Sequence, residues 1–431
     1  MATIMFWGKW LAKLKSPMFR DTVWTFVGQI GFLLIQASYF VIIARSLGPT
    51  AFGAMVSTSA MALILMPFVS FGTGSLLLKN VARDRRTFPE RFGNALFMTL
   101  VTGILFTAVD MFLSRWTLPS AFTWHFIFVI FISDIIAFRF IEICRQAYQA
   151  VNRMAMTAAI QIIGTAGRLI AALVMLKFWP HPTAAIWANF YCVSSWMTAV
   201  LAVAMVCKGV GLPRLRLSLI WPEIPEGLYF SIGYSATTIY NDIDKTMVGR
   251  LSTLDAAGLY GAAYRILEVG FVPLRSLLLT TLPRFFNTGK HGLQETIGFA
   301  RKLLKPGLIY AAGATLGLIV VAPYLPYVLG PAYANSVEAL RWLSPILIMR
   351  VIHLTLGDAI TGADRQGMRT VFQVSAAIVN VLINFWIIPR YSWRGAAWSS
   401  LICDASLAIT FGVYVFVATR IYASKQATYA A

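Results

Sequence analysis

Acid is scarce in this chain. Of 431 residues only 17 are Asp or Glu, against 36 Lys or Arg, and charged residues of both signs make up 12%. Soluble domains carry about 25%, so too little charge is present to coat a water-facing body of this length. Cysteine is also rare. Cys144, Cys192, Cys207 and Cys403 lie in or at the ends of apolar runs, with neither metal-ligand spacing nor a disulfide framework. They read as small packing residues, and no metal or cofactor is expected. A glycine-rich strand–loop–helix phosphate cradle is missing, which excludes transport powered by ATP bound to this chain. Long polar connectors are missing too: 46–50, 114–121 and 250–255 are only a few residues each. They leave no room for a soluble catalytic domain or an outer one. A cleavable signal peptide is not expected. Met1 to Lys15, with Trp7, Trp10, Lys9 and Lys13, reads as an amphipathic segment lying on a membrane surface.

What the chain does have is apolar length. Hydrophobic residues make up 58% of it, gathered in blocks of the ~20 residues that cross a bilayer as a helix. The blocks are continuous rather than alternating, which favours helices over a barrel. Twelve spans are expected: 22–43, 51–78, 92–113, 122–144, 154–176, 184–207, 224–248, 257–282, 303–329, 337–360, 371–388 and 396–419. The fold class is therefore all-α and polytopic.

The net charge of +19 is distributed as topology rather than as a nucleic-acid patch. The N-terminal segment and alternate connectors hold 23 Lys and Arg, the other connectors hold 6, and 7 lie inside spans. That asymmetry follows the positive-inside rule, with both termini cytoplasmic. Membrane lipids, not nucleic acid, are the expected partners of these basic connectors.

Two short matches recur at nearly one offset. Arg45 stands eight residues before Gly53, and Arg250 eight before Gly258. Ser75-Leu76-Leu77-Leu78 precedes Arg83 as Ser276-Leu277-Leu278-Leu279 precedes Arg284. Together they suggest that spans 1–6 and 7–12 are copies, six spans each and therefore equally oriented, related by an axis along the membrane normal. The proline-bearing connector 208–225 is the natural joint, giving an N-lobe of 1–215 and a C-lobe of 216–431.

The motifs resemble a known family. Leu47-Gly48-Pro49-Thr50-Ala51-Phe52-Gly53 and Phe71-Gly72-Thr73-Gly74, followed by Asn80-Val81-Ala82-Arg83, look like the first spans of polysaccharide or O-antigen unit flippases. These belong to the multidrug/oligosaccharidyl-lipid/polysaccharide exporter superfamily. Asp244-Lys245-Thr246-Met247-Val248-Gly249, then Gly258-Leu259-Tyr260 with Ala263-Tyr264, look like the seventh span and its exit; Gly330 and Tyr333 fit as well. The resemblance implies two six-helix lobes about a central cavity, alternating access, and a polyprenyl-diphosphate-linked oligosaccharide as cargo. It implies a non-enzymatic protein of a bacterial cytoplasmic membrane, working beside glycosyltransferases and a polysaccharide polymerase. An ion-coupled drug or metabolite exporter on the same scaffold is the alternative, and a membrane polymerase or ligase a more distant one.

Charge within a span costs ~2.5–3.5 kcal/mol on insertion scales and marks function by default. Arg139, Arg168, Arg275 and Arg350 are expected to hold the diphosphate, since guanidinium offers a rigid bidentate fork. Lys245, Tyr234, Asn241 and Gln36 are expected to line the same cavity and meet the sugar. Asp134, Glu142, Asp242, Asp244, Glu268 and His353 are expected to serve as counter-charges or as sites of ion coupling. The spacings Arg139–Glu142, Arg265–Glu268, Asp242–Lys245 and Arg350–His353 each put two residues on one helix face. Pro67 with Gly72, and Gly270 with Pro273, are expected hinges.

Overall fold

The computed structural model describes residues 17–120, 122–151 and 153–430. For residues 17–31, 421–430 and a few others inside helices, Tyr234 among them, only the backbone is described. The surface segment expected at Met1 to Lys15 lies outside the described residues.

Every element is helical, with no strand among the described residues. All twelve expected spans fall on helices. Spans 1 and 2 share Pro17–Leu65, broken at Gly48 (φ 71°), where the left-handed backbone suits a residue without a Cβ. Span 3 is Phe88–Thr117, span 5 Met154–Phe178, span 6 Ala184–Gly209, span 7 Ile224–Leu251 and span 8 Leu254–Gly289. Span 9 runs along Leu293–Val321 and ends at Leu325–Leu329; span 10 comprises Ser336–Leu343 and Ile346–Gly362. Spans 11 and 12 share Gln366–Ala430, broken at Ser392 (φ 54°). Among the described residues, seven helices are long and apolar enough to cross a membrane by length and composition alone. Two of these, Phe32–Val81 and Gln366–Arg420, have length for two passes at 1.5 Å per residue.

Two spans depart from regular α-helix where they carry polar residues. Span 2 passes through a 3₁₀ stretch, Met66–Gly72, in which Ser70, Phe71 and Gly72 are all left-handed. Thr102 of span 3 accepts from the Ser70 amide at 2.7 Å, and Arg139 of span 4 donates to Ser70 Oγ at 3.0 and 3.2 Å. Span 3 thus satisfies a freed amide of the broken backbone, as hydrocarbon requires, and span 4 holds the side chain of the same residue. Span 4 contains a π-helical turn, Ile132–Ala137, that includes Asp134. The hinge expected at Pro67 and Gly72 coincides with this break. Gly270 and Pro273 instead sit in one uninterrupted helix, where the Tyr310 hydroxyl of span 9 donates to the Gly270 carbonyl at 2.8 Å.

The core is divided. One buried cluster runs from Leu77 to Val206 and draws only on the first half; another, from Tyr240 to Val415, draws only on the second. A third, larger cluster joins the halves. Its seam is made by span 2 against spans 7 and 8. A Cβ on Gly53 would lie 1.8 Å from the Leu254 carbonyl oxygen, and one on Gly258 would lie 1.9 Å from the Pro49 carbonyl oxygen. The glycines that follow Arg45 and Arg250 at eight residues therefore meet, backbone against backbone. Ser57 donates to the Lys245 carbonyl at 3.0 Å, Thr246 to the Ser57 carbonyl at 2.9 Å, and Tyr333 to the Ala44 carbonyl at 2.9 Å. This closes the molecule at the end bearing connectors 46–50 and 250–255.

Candidate functional site

Directly below that seam lies a cavity of about 680 Å³ between spans 2, 7, 8 and 10. Span 2 contributes a small, nearly uncharged wall of Val56, Ser59, Ala60 and Leu63. The charge comes from the other three helices. Span 8 presents Tyr264, Arg265, Glu268, Phe271 and Arg275, residues that recur at three, four and seven along one helix face. Span 7 presents Asn241, Asp242 and Lys245; span 10 presents Arg350, His353 and Asp358.

Arg350 is the most confined cation, with its side chain only 5% exposed. It donates to Glu268 Oε1 at 2.7 Å, to Asn241 Oδ1 at 2.9 Å and to the Tyr264 hydroxyl, and its Nε lies 3.8 Å from Asp404 of span 12. The other Glu268 oxygen accepts from Arg275 at 2.6 Å. Arg275 is 54% exposed, so its fork keeps free edges. Lys245 is tied to Asp242 and to the Asn241 carbonyl (3.0 Å), with its ammonium 3.8 Å from the centre of the Tyr264 ring. Arg265 is exposed and has no hydrogen bond or ion pair among the described residues. Asp358 is closed off by Arg369 at 2.8 Å. Facing the cavity, four cations (Lys245, Arg265, Arg275, Arg350) therefore meet two carboxylates, Asp242 and Glu268, that are not otherwise committed.

A second polar cluster adjoins this one in the first half. Tyr191 donates to Asp134, the Arg168 guanidinium lies 5.0 Å from the Tyr191 ring centre, and the Tyr39 ring packs tilted against Trp187 at 5.8 Å. Ser59 and Arg265 of the cavity wall both act on the Asp134 carboxylate from across the interface.

The expected site residues thus divide. Arg275, Arg350, Lys245, Asn241, Asp242, Glu268 and His353 line one cavity. Arg168 and Asp134 belong to the adjoining cluster and do not line it. Arg139 is a correction: it supports the break of span 2 through Ser70. Glu142 is another; its cation is Arg145, at 2.7 Å one turn further on, not Arg139. Asp244 is a third. Neighbours in a helix point ~100° apart, so with Lys245 facing the cavity Asp244 faces away, buried under Tyr260, Ser400 (2.8 Å) and the Lys245 amide (2.8 Å). Gln36 is half-buried on span 1 and is not part of the cavity wall. The Tyr234 side chain lies outside the described residues. Arg265 was grouped with Glu268 as a helix-face pair, yet Glu268 turns to Arg275 and Arg350. A signal for Arg265 was its spacing of three from Glu268, which itself stands seven from Arg275.

Over residues 18–288 the chain matches the family described as "Polysaccharide biosynthesis protein". The probable low-salt glycan biosynthesis flippase Agl15 of Haloferax volcanii (strain ATCC 29605 / DSM 3757) is 20% identical over 208 residues, 46% of this chain and 44% of that protein. The match therefore spans less than half the length of that curated relative. Among solved structures, the inward-facing conformation of a multidrug resistance MATE family transporter of the MOP superfamily superposes with a TM-score of 0.74. That match is at 15% identity over 91% of this chain and 95% of that one. The lipid II flippase MurJ, in an inward closed conformation, superposes with a TM-score of 0.72 at 10% identity over 91% and 87%. At these identities the likeness is one of fold.

Proposed function

This chain belongs to the polysaccharide biosynthesis protein family, and from that premise we propose that it is a flippase for a polyprenyl-diphosphate-linked oligosaccharide. It is a multi-pass membrane protein with the fold of MOP-superfamily transporters. In this reading it sits in the cytoplasmic membrane with both termini inside, and carries the repeat unit to the outer leaflet. Glycosyltransferases that build the unit and a polymerase that consumes it are its working neighbours.

The observation that carries the reading is the excess of cations on the cavity wall. A diphosphate needs several charge-assisted donors in a site that water leaves, where each is worth about 1.5–3 kcal/mol. Arg265 and the free edges of Arg275 are available at once, and Arg350 and Lys245 stand behind them on carboxylates that an incoming anion displaces. Tyr264, Asn241 and Tyr240 offer ring faces and an amide to the sugar. The prenyl tail needs no pocket, because it stays in lipid while the headgroup crosses.

Residues 1–215 and 216–431 act as two lobes that rock about this cavity, which is supported by the separate cores of the two halves and by the Gly53–Gly258 contact. The seam opens as the opposite end closes. A drug exporter on this fold would draw organic cations to carboxylates; here the free charge is of the other sign.

The test is flipping in proteoliposomes of a fluorescent lipid-diphosphate sugar, with a membrane-impermeant quencher reading the outer leaflet. Arg265→Gln with Arg275→Gln is expected to lose flipping at unchanged thermal stability. Undiminished flipping by that double variant would sink the assignment.

A further inference from the structure

The cavity holds one titratable group that cargo binding alone does not use. His353 is buried on span 10 and lines the cavity. Its Nε2 is 2.8 Å from Asp404 Oδ1 of span 12, while its Nδ1 has no partner. Asp404 is also the carboxylate 3.8 Å from Arg350 Nε. One carboxylate is therefore shared by a permanent cation and by an imidazole that can be neutral or cationic.

The surroundings leave few other ways to settle that charge. Span 7 brings the Tyr240 ring against the imidazole, with centroids 6.5 Å apart, and places Asp242 and Lys245 further off, tied to each other. Span 8 brings Glu268, already bound by Arg350 and Arg275, together with Arg265. Span 10 itself carries Arg350 and Asp358, and Arg369 of span 11 holds Asp358. Span 9 sends Tyr310 to Gly270 instead of to this cluster. Phe411 of span 12 also packs against the ring, with centroids 6.5 Å apart.

We propose that His353 and Asp404 form the site at which this protein takes up one proton with each anionic cargo. The inference rests on the flippase reading and adds its coupling. With His353 neutral, Asp404 accepts one imidazole N–H and draws on Arg350 for the rest of its compensation. A proton added to Nδ1 makes the imidazole a full counter-charge for Asp404, which releases the Nε edge of Arg350. It also leaves a buried Nδ1–H donor without an acceptor, and such a donor is costly to leave unmade. An oxygen of the bound diphosphate or sugar supplies that acceptor. Proton and anion thus each improve the site for the other, and the coupling is necessarily reciprocal. No bond is made or broken other than the N–H bond at Nδ1, and solvent supplies the proton.

The probe is geranyl-diphospho-glucose, a diphosphate diester with no ionisation of its own near neutrality, titrated into the full chain in nanodiscs. Affinity is expected to rise as pH falls from about 8 to about 6, by up to tenfold per pH unit for one linked proton. Calorimetry in two buffers of different ionisation enthalpy should read net proton uptake by the wild type, which requires no variant to fold. His353→Gln is expected to bind without a pH slope, and Asp404→Asn to exceed wild-type affinity most at high pH, where the wild type is weakest. Binding by the wild type with no slope and no uptake, or a slope retained in H353Q, overturns the proton site and leaves the flippase reading standing. Failure of the wild type to bind the probe at any pH overturns both.

Discussion

Gly258→Ala should force the seam between the halves apart. The added Cβ would sit 1.9 Å from the Pro49 carbonyl oxygen, 2.7 Å from its carbon and 3.0 Å from its Cα. All three are backbone atoms, so no side chain can swing away, and the two helices must separate by more than an ångström. Overpacking a close-packed contact costs about 1–3 kcal/mol, and only the conformation in which the seam is shut bears that cost. At 1–3 kcal/mol the ratio of shut to open falls about 5- to 150-fold. The assay is labelling of Leu63→Cys, in the cavity wall, by a membrane-impermeant maleimide added outside. Native cysteines interfere little, since Cys144 and Cys403 are buried and the other two half-buried. Labelling should accelerate in the glycine variant toward that factor. Gly313→Ala is the control: it makes the same change in span 9, where a Cβ meets nothing within 4 Å, and should leave labelling alone. If G258A labels no faster than the wild type while remaining folded, the seam is not the outer gate.

Other substitutions separate cavity from scaffold. Arg350→Gln leaves the buried Asp404 short of a permanent cation and takes from Glu268 one of its two, and breaking a buried pair costs about 3–5 kcal/mol; a large fall in detergent melting temperature should accompany any loss of flipping. Asp244→Ala strips the acceptor from Tyr260, Ser400 and the Lys245 amide, at about 1–3 kcal/mol. Its thermal midpoint should fall while affinity for a diphosphate probe at permissive temperature stays near wild type. Arg139→Met removes the donor to Ser70 and should raise hydrogen exchange across residues 66–72 without altering probe affinity. Equal loss of affinity in D244A or R139M would return those residues to the cavity.

Much of the cavity's chemistry could be read before its geometry. That four deep arginines (Arg139, Arg168, Arg275 and Arg350) stand against the deep acids Asp134 and Glu142 is visible in the sequence, and so are Lys245, Arg275, Arg350, Glu268 and His353 as residues that line the cavity. Helix-face spacing was a poorer guide to partners. It offered Glu142 to Arg139 and Glu268 to Arg265, yet the structure gives them to Arg145, and to Arg275 with Arg350. A spacing of three or four says that two residues can meet; it does not say that a third, from another helix, is nearer.

The sequence by itself determined the twelve spans and their helical class, because hydrocarbon leaves a backbone no partner but its own next turn, and composition alone decides where that applies. It also set Gly53 and Gly258 eight residues after Arg45 and Arg250. Only the tertiary structure decided that these two glycines touch, that Asp244 turns its back on the cavity its neighbour Lys245 enters, and that Asp404 stands between Arg350 and His353. Those are relations between helices far apart in the chain. They are set by which faces pack, and the periodicity of any one helix leaves that open.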